Sequence, residues 1–267
     1  MVLPLYNEAG RLDLRELARL VRSPLRLVLV DDGSTDGTPA LLRRFVAEQD
    51  DPPRLLVQER NTGKGEAVRR GLLAALSGGA AVVGFADADL ATPVDEIVRM
   101  AAVSETATAD LVLGARIKMA GRHVERRAVR HYLGRVIATY IDTRTRLGVY
   151  DTQCGLKFLR DSPELRAALA EPFATRWLFD VELLRRLRTE HAASGRPLAM
   201  REEPLETWVD TPGTRLRGSE LTRVARDFAR LEQVIRAEHA ARSGRSLASG
   251  PGTGPAASHA PPFGGPA

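Results

Sequence analysis

Two hydrophobic spacings alternate along the first 115 residues of the chain. Short apolar runs such as Ala80 to Phe85, bounded by polar or Gly-rich segments, predict buried strands. Between these runs, apolar residues recur every three to four positions, as in Leu12 to Val21, and this spacing predicts helices. Strands that alternate with helices indicate an α/β fold with a mostly parallel sheet. The predicted strands are 2–3, 25–30, 54–58, 80–85 and 110–115, and the predicted helices are 12–21, a segment after residue 38, 66–76 and 93–104.

The pattern changes after residue 116. The following segment, to Arg146, is Arg-rich and reads as helical from about Arg127. Beyond Ser243 the chain consists mainly of Gly, Pro, Ser and Ala with few large apolar residues, which predicts a disordered tail. We therefore expect one domain over 1–241, divided at about residue 116, and a tail over 242–267. The remaining predicted elements are strand and loop at 150–160, a helix at 177–188, a strand at 198–209 and a charged helix at 222–241.

Composition places the chain among ordinary globular proteins. It has 267 residues, of which 43% are hydrophobic and 27% are charged. A chain of this length can bury a substantial core without disulfides. Its single cysteine, Cys154, excludes an internal disulfide framework and a multi-cysteine metal site, and it is expected to be a buried small side chain.

The formal net charge of +5 suggests anionic partners. Nucleic acid is not expected among them, because aromatic residues make up only 5% of the chain and do not interleave with the basic ones. No apolar stretch reaches the length of a membrane span, and no signal peptide is visible, so a cytoplasmic protein is expected. Peripheral contact between the basic segment 116–146 and an anionic membrane stays open.

Two carboxylates follow the predicted strand at 80–85. Asp87 and Asp89 lie two positions apart at its carboxyl end, where ligands bind in open α/β sheets. Carboxylate oxygens are the ligands that Mg²⁺ and Mn²⁺ prefer. The alternative is that these residues only form a turn or cap the helix that begins near Pro93.

Two further loops carry candidate chemistry. The loop from Val30 to Thr38 contains Asp31 and Asp32, which suit hydrogen bonds to a base or ribose, although an Asx turn and a helix cap explain them equally well. The loop from Asn61 to Gly65 places a lysine between glycines at a helix start, which suits an anion, although a Gly-rich turn with a solvated lysine explains it equally well. It is not a P-loop, because no Ser or Thr follows the lysine.

Basic residues cluster after residue 116. Several guanidinium groups in one segment suit phosphate binding, whereas the usual alternative is a solvated helix face. The cluster consists of Arg116, Arg122, Arg126, Arg127, Arg130, His131 and Arg135.

The order of these motifs resembles a known family. Pro4-x-Tyr6-Asn7-Glu8, Asp31 to Thr38, Asn61 to Gly65 and Asp87-Ala88-Asp89 resemble, in this order, the nucleotide-binding half of the inverting family-two glycosyltransferases, which have the Rossmann-like GT-A fold. Later blocks are similar to the dolichyl-phosphate β-glucosyltransferase branch, and the resemblance covers about residues 1 to 235. These later blocks are 113–116, 130–135, 151–157 and 176–184.

The resemblance implies a nucleotide-sugar donor, a polyprenyl-phosphate acceptor and a divalent cation, Mg²⁺ or Mn²⁺. Residues 1–116 would then be the nucleotide-binding half and 117–241 the acceptor side, with a helical extension at the C-terminal end. By resemblance, Asp89 would bind the cation, and Arg116, Arg130 and Arg135 would face phosphates. The nucleoside side would be formed by Pro4, Tyr6, Glu8, Val30, Asp32, Lys64 and Asp87. The sugar and acceptor side would be formed by Gln153, Lys157, Trp177, Asp180 and Glu182.

The implied chemistry is consistent with these residue types. An acceptor phosphate is largely dianionic at pH 7, so it can attack the anomeric carbon without a strong base. Positioning two anions that repel each other is a task for arginines and a metal. In catalysis the expected participants are Asp89, Arg116, Arg130 and Asp180.

The donor is the least constrained part of this expectation. Some mannose enzymes of this kind place a metal-binding Gln two residues after the second Asp, where this chain has Ala91. This difference favours UDP-glucose over GDP-mannose. The alternatives are a GDP-mannose-dependent enzyme and a non-catalytic nucleotide-binding protein.

Overall fold

The computed structural model describes residues 1–125, 128–210 and 226–236; from 128 to 136 it describes the backbone alone. The chain divides into two units, Met1–Leu231 and Glu232–Ala267. In the second unit the described residues, 232–236, are helical. The predicted tail over 242–267 lies outside the described residues.

The first unit contains a mixed seven-stranded sheet and a small second sheet. The large sheet has the strand order β3-β2-β1-β4-β7-β5-β8, and all neighbours are parallel except β7, which is antiparallel to both β4 and β5. Strands β6 and β9 pair in parallel as a separate two-stranded sheet. The strands are β1 Val2–Leu5, β2 Val28–Asp31, β3 Arg54–Val57, β4 Val82–Phe85, β5 Leu111–Ala115, β6 His123–Glu125, β7 Lys157–Arg160, β8 Met200–Pro204 and β9 Thr207–Val209.

Helices cover both faces of the large sheet. Side chains alternate between the faces along a strand, so Leu3 and Leu5 join the core shared with α1, α2 and α4, while Val2 faces α3. Helix α3 can lie close to the sheet because Gly71 has no side chain. A Cβ added there would lie only 2.3 Å from Val2 Cγ1. The helices are α1 Leu14–Val21, α2 Thr38–Ala47, α3 Lys64–Ser77, α4 Val94–Thr106, α5 Ala128–Thr145, α6 Pro163–Ala168 and α7 Phe179–Ala193, and residues 226–236 are also helical.

The predicted α/β fold with a mostly parallel sheet is confirmed, with local differences. The first strand extends to Leu5, two residues beyond the prediction. The short helix α6 was not predicted. The single strand predicted at 198–209 is divided into β8 and β9, because the chain leaves the large sheet after Pro204 and pairs with β6 instead.

Candidate functional site

The polar residues of interest converge at one edge of the large sheet. Strands β1, β2, β4 and β5 are parallel and end there, and the antiparallel β7 begins there. Glu8 and Asp32 therefore follow the ends of β1 and β2, while Asp87 and Arg116 follow the ends of β4 and β5. Lys157 opens β7 and is the register partner of Phe85, the last residue of β4. The fold thus assembles one site from segments that are distant in the sequence, such as those of Glu8 and Lys157.

Asp32 holds the loop that precedes α3. Its carboxylate accepts hydrogen bonds from the backbone N–H groups of Thr62 (2.8 Å) and Gly63 (2.8 Å), and from the side-chain amides of Asn61 (2.9 Å) and Gln58 (3.3 Å). The residue is buried. These contacts fix the N-terminal end of α3, where the lysine of the glycine-rich loop begins the helix.

The loop after β1 is tied to the loop after β2. The backbone N–H of Asn7 donates to Ser34 Oγ (2.9 Å), and its side-chain oxygen accepts from the backbone N–H of Thr35 (2.9 Å). The backbone N–H of Glu8 donates to Thr38 Oγ1 (2.8 Å). Asn7 has a φ of 53°, in the left-handed region that Asn tolerates better than most residues. The two loops therefore form one wall of the site.

The remaining residues of this wall differ in exposure. Pro4 and Val30 are register partners on β1 and β2, and Val30 is fully buried. Tyr6 is exposed, so its ring is available to a flat ligand. Glu8 is buried and forms an ion pair with Arg11.

Four charged side chains of alternating sign, Lys64, Asp87, Lys157 and Asp180, lie close together in the site. Lys64 Nζ lies 2.5 Å from Asp87 Oδ1, and Lys157 Nζ lies 2.5 Å from Asp180 Oδ1. Desolvation lowers the pKa of Lys64, but the charges of Asp87 and Asp180 outweigh it, and the net pKa is raised. Desolvation likewise raises the pKa of Asp87, but Lys64 reverses the effect and the net pKa is lowered. Both groups are therefore charged at neutral pH.

Of the two ion pairs, the one between Lys157 and Asp180 is buried. Lys157 is completely buried, donates to the carbonyl of Cys154 at 2.5 Å and lies 5.4 Å from the centre of the Phe85 ring. Burial raises the pKa of Asp180, although the charge of Lys157 opposes the shift. Burial also raises the pKa of the Cys154 thiol to about 11, so this cysteine is a thiol at neutral pH.

The Asp87 carboxylate occupies space that is open because residue 155 is a glycine. A Cβ added at Gly155 would lie 2.3 Å from Asp87 Oδ2 and 2.4 Å from its Cγ. No side chain fits at that position while Asp87 remains paired with Lys64. The sequence around Cys154 thus contributes to the site through the absence of a side chain.

Asp89 presents its carboxylate to solvent. Its Oδ1 accepts from the backbone N–H of Ala91 at 3.2 Å, and the residue is exposed. Although the residue lies at the surface, partial desolvation by the protein around it and the neighbouring charge of Asp87 raise its pKa. A cation placed here would relieve this repulsion.

The residues present fit a Mg²⁺ or Mn²⁺ ion that is shared with a ligand. Among the residues that the structure describes, no group of three or more His, Cys, Asp or Glu side chains could hold a metal by itself. Mg²⁺ commonly binds through one or two carboxylates together with substrate phosphates and water, rather than in an all-protein cage. Asp89, with Asp87 two positions away, is such a carboxylate.

Arg116 is held rigidly at the end of β5. Its Nε and Nη2 donate to the two carboxylate oxygens of Asp151, each at 2.8 Å, and its guanidinium carbon lies 5.4 Å from the centre of the Trp208 ring. Asp151 is held in turn by Glu202 on β8, which accepts a hydrogen bond from the backbone N–H of Asp151 at 2.9 Å. The guanidinium is therefore fixed in position beside the site and stays protonated, with its charge offset in part by Asp151.

Comparison with known proteins decides the family. The model of the family described as Glycosyl transferase family 2 matches residues 1–188. The chain belongs to glycosyltransferase family 2. The family and the enzyme class predicted from the ordered motifs are confirmed.

Curated relatives of this family-2 glycosyltransferase include two dolichyl-phosphate beta-glucosyltransferases. The chain is 30% identical over 252 residues to the ALG5C protein of Trichomonas vaginalis, covering 88% of this chain and 71% of that protein. It is 32% identical over 210 residues to the Saccharomyces cerevisiae protein, covering 69% of this chain and 60% of that protein. The chain therefore spans only part of the length of these relatives.

A solved structure shows the same fold. Mannosyltransferase PcManGT from Pyrobaculum calidifontis, solved in complex with GDP-Man and Mn²⁺, matches with a TM-score of 0.57 at 20% identity. The match covers 88% of this chain and 63% of that one. It confirms the GT-A-type architecture of this family-2 glycosyltransferase. None of the described helices of the chain is sufficiently long and apolar to cross a membrane.

Other residues expected on the acceptor side have varied surroundings. Trp177 is exposed, whereas Glu182 is buried and accepts from the backbone N–H groups of Ala174 (3.0 Å) and Thr175 (2.9 Å). Gln153 Nε2 is buried, with no hydrogen-bond partner among the described residues. The side chains of Arg130 and Arg135, on α5, lie outside what the structure describes.

Two contacts in this family-2 glycosyltransferase were not anticipated. Arg176 Nη2 donates to the side-chain and backbone oxygens of Asn61, the latter at 3.3 Å, and so covers the glycine-rich loop. Asp227 accepts from the backbone of residues 176–178. Arg176 stands within a motif that the resemblance had singled out, but no local pattern distinguishes Asp227 from the other charges of its helix.

We expect Asp180→Asn to lower the free energy of unfolding by about 3–5 kcal/mol, because it leaves the buried Lys157 ammonium without its counter-ion. Urea unfolding followed by circular dichroism measures this loss. Asp161→Asn is the matched control, since it breaks an ion pair with Arg166 at the surface and should cost at most about 1 kcal/mol. Equal unfolding midpoints for the two variants would contradict the buried pair.

Proposed function

We propose that this protein transfers glucose from UDP-glucose to a polyprenyl phosphate with inversion at the anomeric carbon. The observation that carries the proposal is the Lys64–Asp87 pair beside the exposed Asp89 carboxylate, at the sheet edge where a diphosphate would lie. The names of the two curated relatives support the acceptor class and the sugar. Ala91 in place of a metal-binding Gln supports UDP-glucose over GDP-mannose.

The donor occupies the wall formed by the loops after β1 and β2. Tyr6 contacts the base, and Glu8 and Asp32 shape the nucleoside side with Pro4 and Val30 beneath them. Lys64 and Asp87 line the diphosphate end of the same pocket. Asp89 holds Mg²⁺ or Mn²⁺ there, and the manganese complex of the structural relative supports a divalent ion. When bound, the ion offsets negative charge on the leaving diphosphate.

The acceptor approaches from the side formed by residues 117–241. A phosphate oxygen of the acceptor forms a new bond to the anomeric carbon while the bond to the UDP oxygen breaks, and UDP leaves with the electron pair. No proton has to be removed from a dianionic phosphate, so no strong base is needed. Arg116 supplies fixed positive charge, and Arg130 and Arg135 on α5 bind the lipid phosphate.

The remaining residues shape the sugar and acceptor side of the site. Gln153 offers a buried amide nitrogen with no hydrogen-bond partner among the described residues, and Trp177 offers an exposed ring. Lys157, Asp180 and Glu182 support the wall from inside, because their charged groups already have protein partners. The basic segment 116–146 brings the protein to an anionic cytoplasmic membrane surface, where the acceptor resides.

The experiment compares the two donors directly. Purified protein is incubated with Mn²⁺, a polyprenyl phosphate and labelled UDP-glucose or GDP-mannose, and labelled lipid is extracted. We expect product with UDP-glucose, its loss on addition of EDTA, and its recovery with excess Mn²⁺. Product only with GDP-mannose would overturn the assigned donor. Absence of product with both donors would favour a non-catalytic nucleotide-binding protein.

A further inference from the structure

Asp227 accepts hydrogen bonds from three consecutive backbone N–H groups. Its Oδ2 lies 3.0 Å from the nitrogen of Arg176, 2.5 Å from that of Trp177 and 3.3 Å from that of Leu178. Asp227 is buried, although it comes from a helix about 50 residues further along the chain. These amides immediately precede α7, whose N-cap Leu178 has no side chain that can cap the helix. Asp227 therefore anchors, from another element, the segment that leads into α7, and its contact with the Leu178 N–H satisfies one of the first amides of that helix.

The helix that carries Asp227 also contacts α5. The ring of Phe228 lies 5.4 Å from the ring of Tyr140 in an edge-to-face arrangement. Helix α5 contains Arg130 and Arg135, to which the proposed function assigns the lipid phosphate. Two neighbouring residues of one helix thus connect the two elements that form the proposed acceptor side.

We infer that Asp227 is a positioning residue for the acceptor: it fixes the 176–178 segment so that Trp177 meets the polyprenyl phosphate. The inference rests on the proposed function, and it assigns a role to a residue outside the matched family region, 1–188. Asp227 touches no reacting atom. Its effect is transmitted through the backbone of the three residues that it holds.

Neighbouring segments have anchors of their own, so the effect of losing Asp227 is local. Glu182 holds Ala174 and Thr175 from within α7. Asp32 holds the glycine-rich loop through contacts that do not involve Asp227. Removing the Asp227 carboxylate therefore releases residues 176–178 while the nucleotide wall and the first turn of α7 remain in place.

The test separates acceptor binding from the other steps. We expect Asp227→Ala to raise the KM for polyprenyl phosphate roughly tenfold, because an ordered wall becomes mobile, while kcat and the Kd for UDP change by less than about twofold. Asp227→Asn keeps an acceptor oxygen and should show a smaller increase. Asp50→Asn, on the exposed Asp50, makes the same change of charge and should leave all three parameters unchanged.

Amide hydrogen exchange gives a readout that does not depend on the proposed reaction. Exchange at residues 176–178 should accelerate in Asp227→Ala, with a smaller change at 61–63. An unchanged acceptor KM, or a parallel change in the Kd for UDP, would overturn the inference, as would unchanged exchange. Wild-type protein that transfers no sugar would refute the proposed function alone, and the exchange rates would then still decide whether Asp227 holds the segment.

Discussion

Asp89→Asn should reduce turnover by a factor of about 10²–10³ while changing the free energy of unfolding by less than about 0.5 kcal/mol. The large effect on turnover follows from the loss of a charged oxygen ligand at the position proposed for the cation. The small effect on stability follows from the exposure of Asp89 and from its one hydrogen bond to the described part of the chain, with the backbone of Ala91. Asparagine keeps an oxygen that can accept from Ala91, so the turn is retained and only the charge is lost.

The measurement combines steady-state rates over a range of Mn²⁺ concentrations with urea unfolding. If Asp89 is a metal ligand, the Asp89→Asn variant has a lower maximal rate and needs a higher Mn²⁺ concentration to reach it. If Asp89 only forms a turn, neither the maximal rate nor the Mn²⁺ requirement changes. Asp50→Asn serves as the control for a change of charge at an exposed site. If Asp89→Asn turns over at the wild-type rate, Asp89 is a turn residue and the cation must bind elsewhere.

The spacing of apolar residues predicted most of the nucleotide-side elements. Strands such as Val82–Phe85 are recognisable because both faces are covered and their sequences are continuously apolar. The insertion of β7 between β4 and β5, in the opposite direction, was not predictable. Its four residues, Lys157–Arg160, carry a charge at each end, and their direction is set by pairing with strands distant in sequence.

The sequence predicts where some residues of the candidate site stand, but not which residues they pair with. The positions of Asp87 and Asp89 follow from a strand that ends in polar residues, which is a local feature. The partners of these residues are not local. A lysine such as Lys157 reads as exposed, and its complete burial depends on Asp180, which lies 23 residues further along. Charge pairs between distant segments appear only when the fold is known.

The role of Gly155 also could not be predicted from the sequence, because it depends on the close approach of the Asp87 carboxylate in the folded chain. Gly155→Ala should reduce the catalytic efficiency with donor, kcat/KM, by a factor of about 10–10², since the reacting groups lose their alignment. The new Cβ would stand 2.3 Å from Asp87 Oδ2. Residues Cys154 and Leu156 on either side are fully buried, so the backbone has little room to move and the Asp87 carboxylate must move instead. The displaced carboxylate leaves Lys64, and the pair that lines the diphosphate end of the pocket is broken.

A double-mutant cycle decides whether Gly155 acts through Asp87. Donor kcat/KM is measured for Gly155→Ala, for Asp87→Ala and for both changes together. With the carboxylate removed, the alanine methyl group has nothing to displace, so Gly155→Ala should cost little in the Asp87→Ala background. Gly10→Ala controls for the change of residue type, because a Cβ there meets nothing within 4 Å. Additive losses in the cycle would mean that the alanine disturbs β7 and the buried Lys157 instead, and the effect would then appear in the free energy of unfolding.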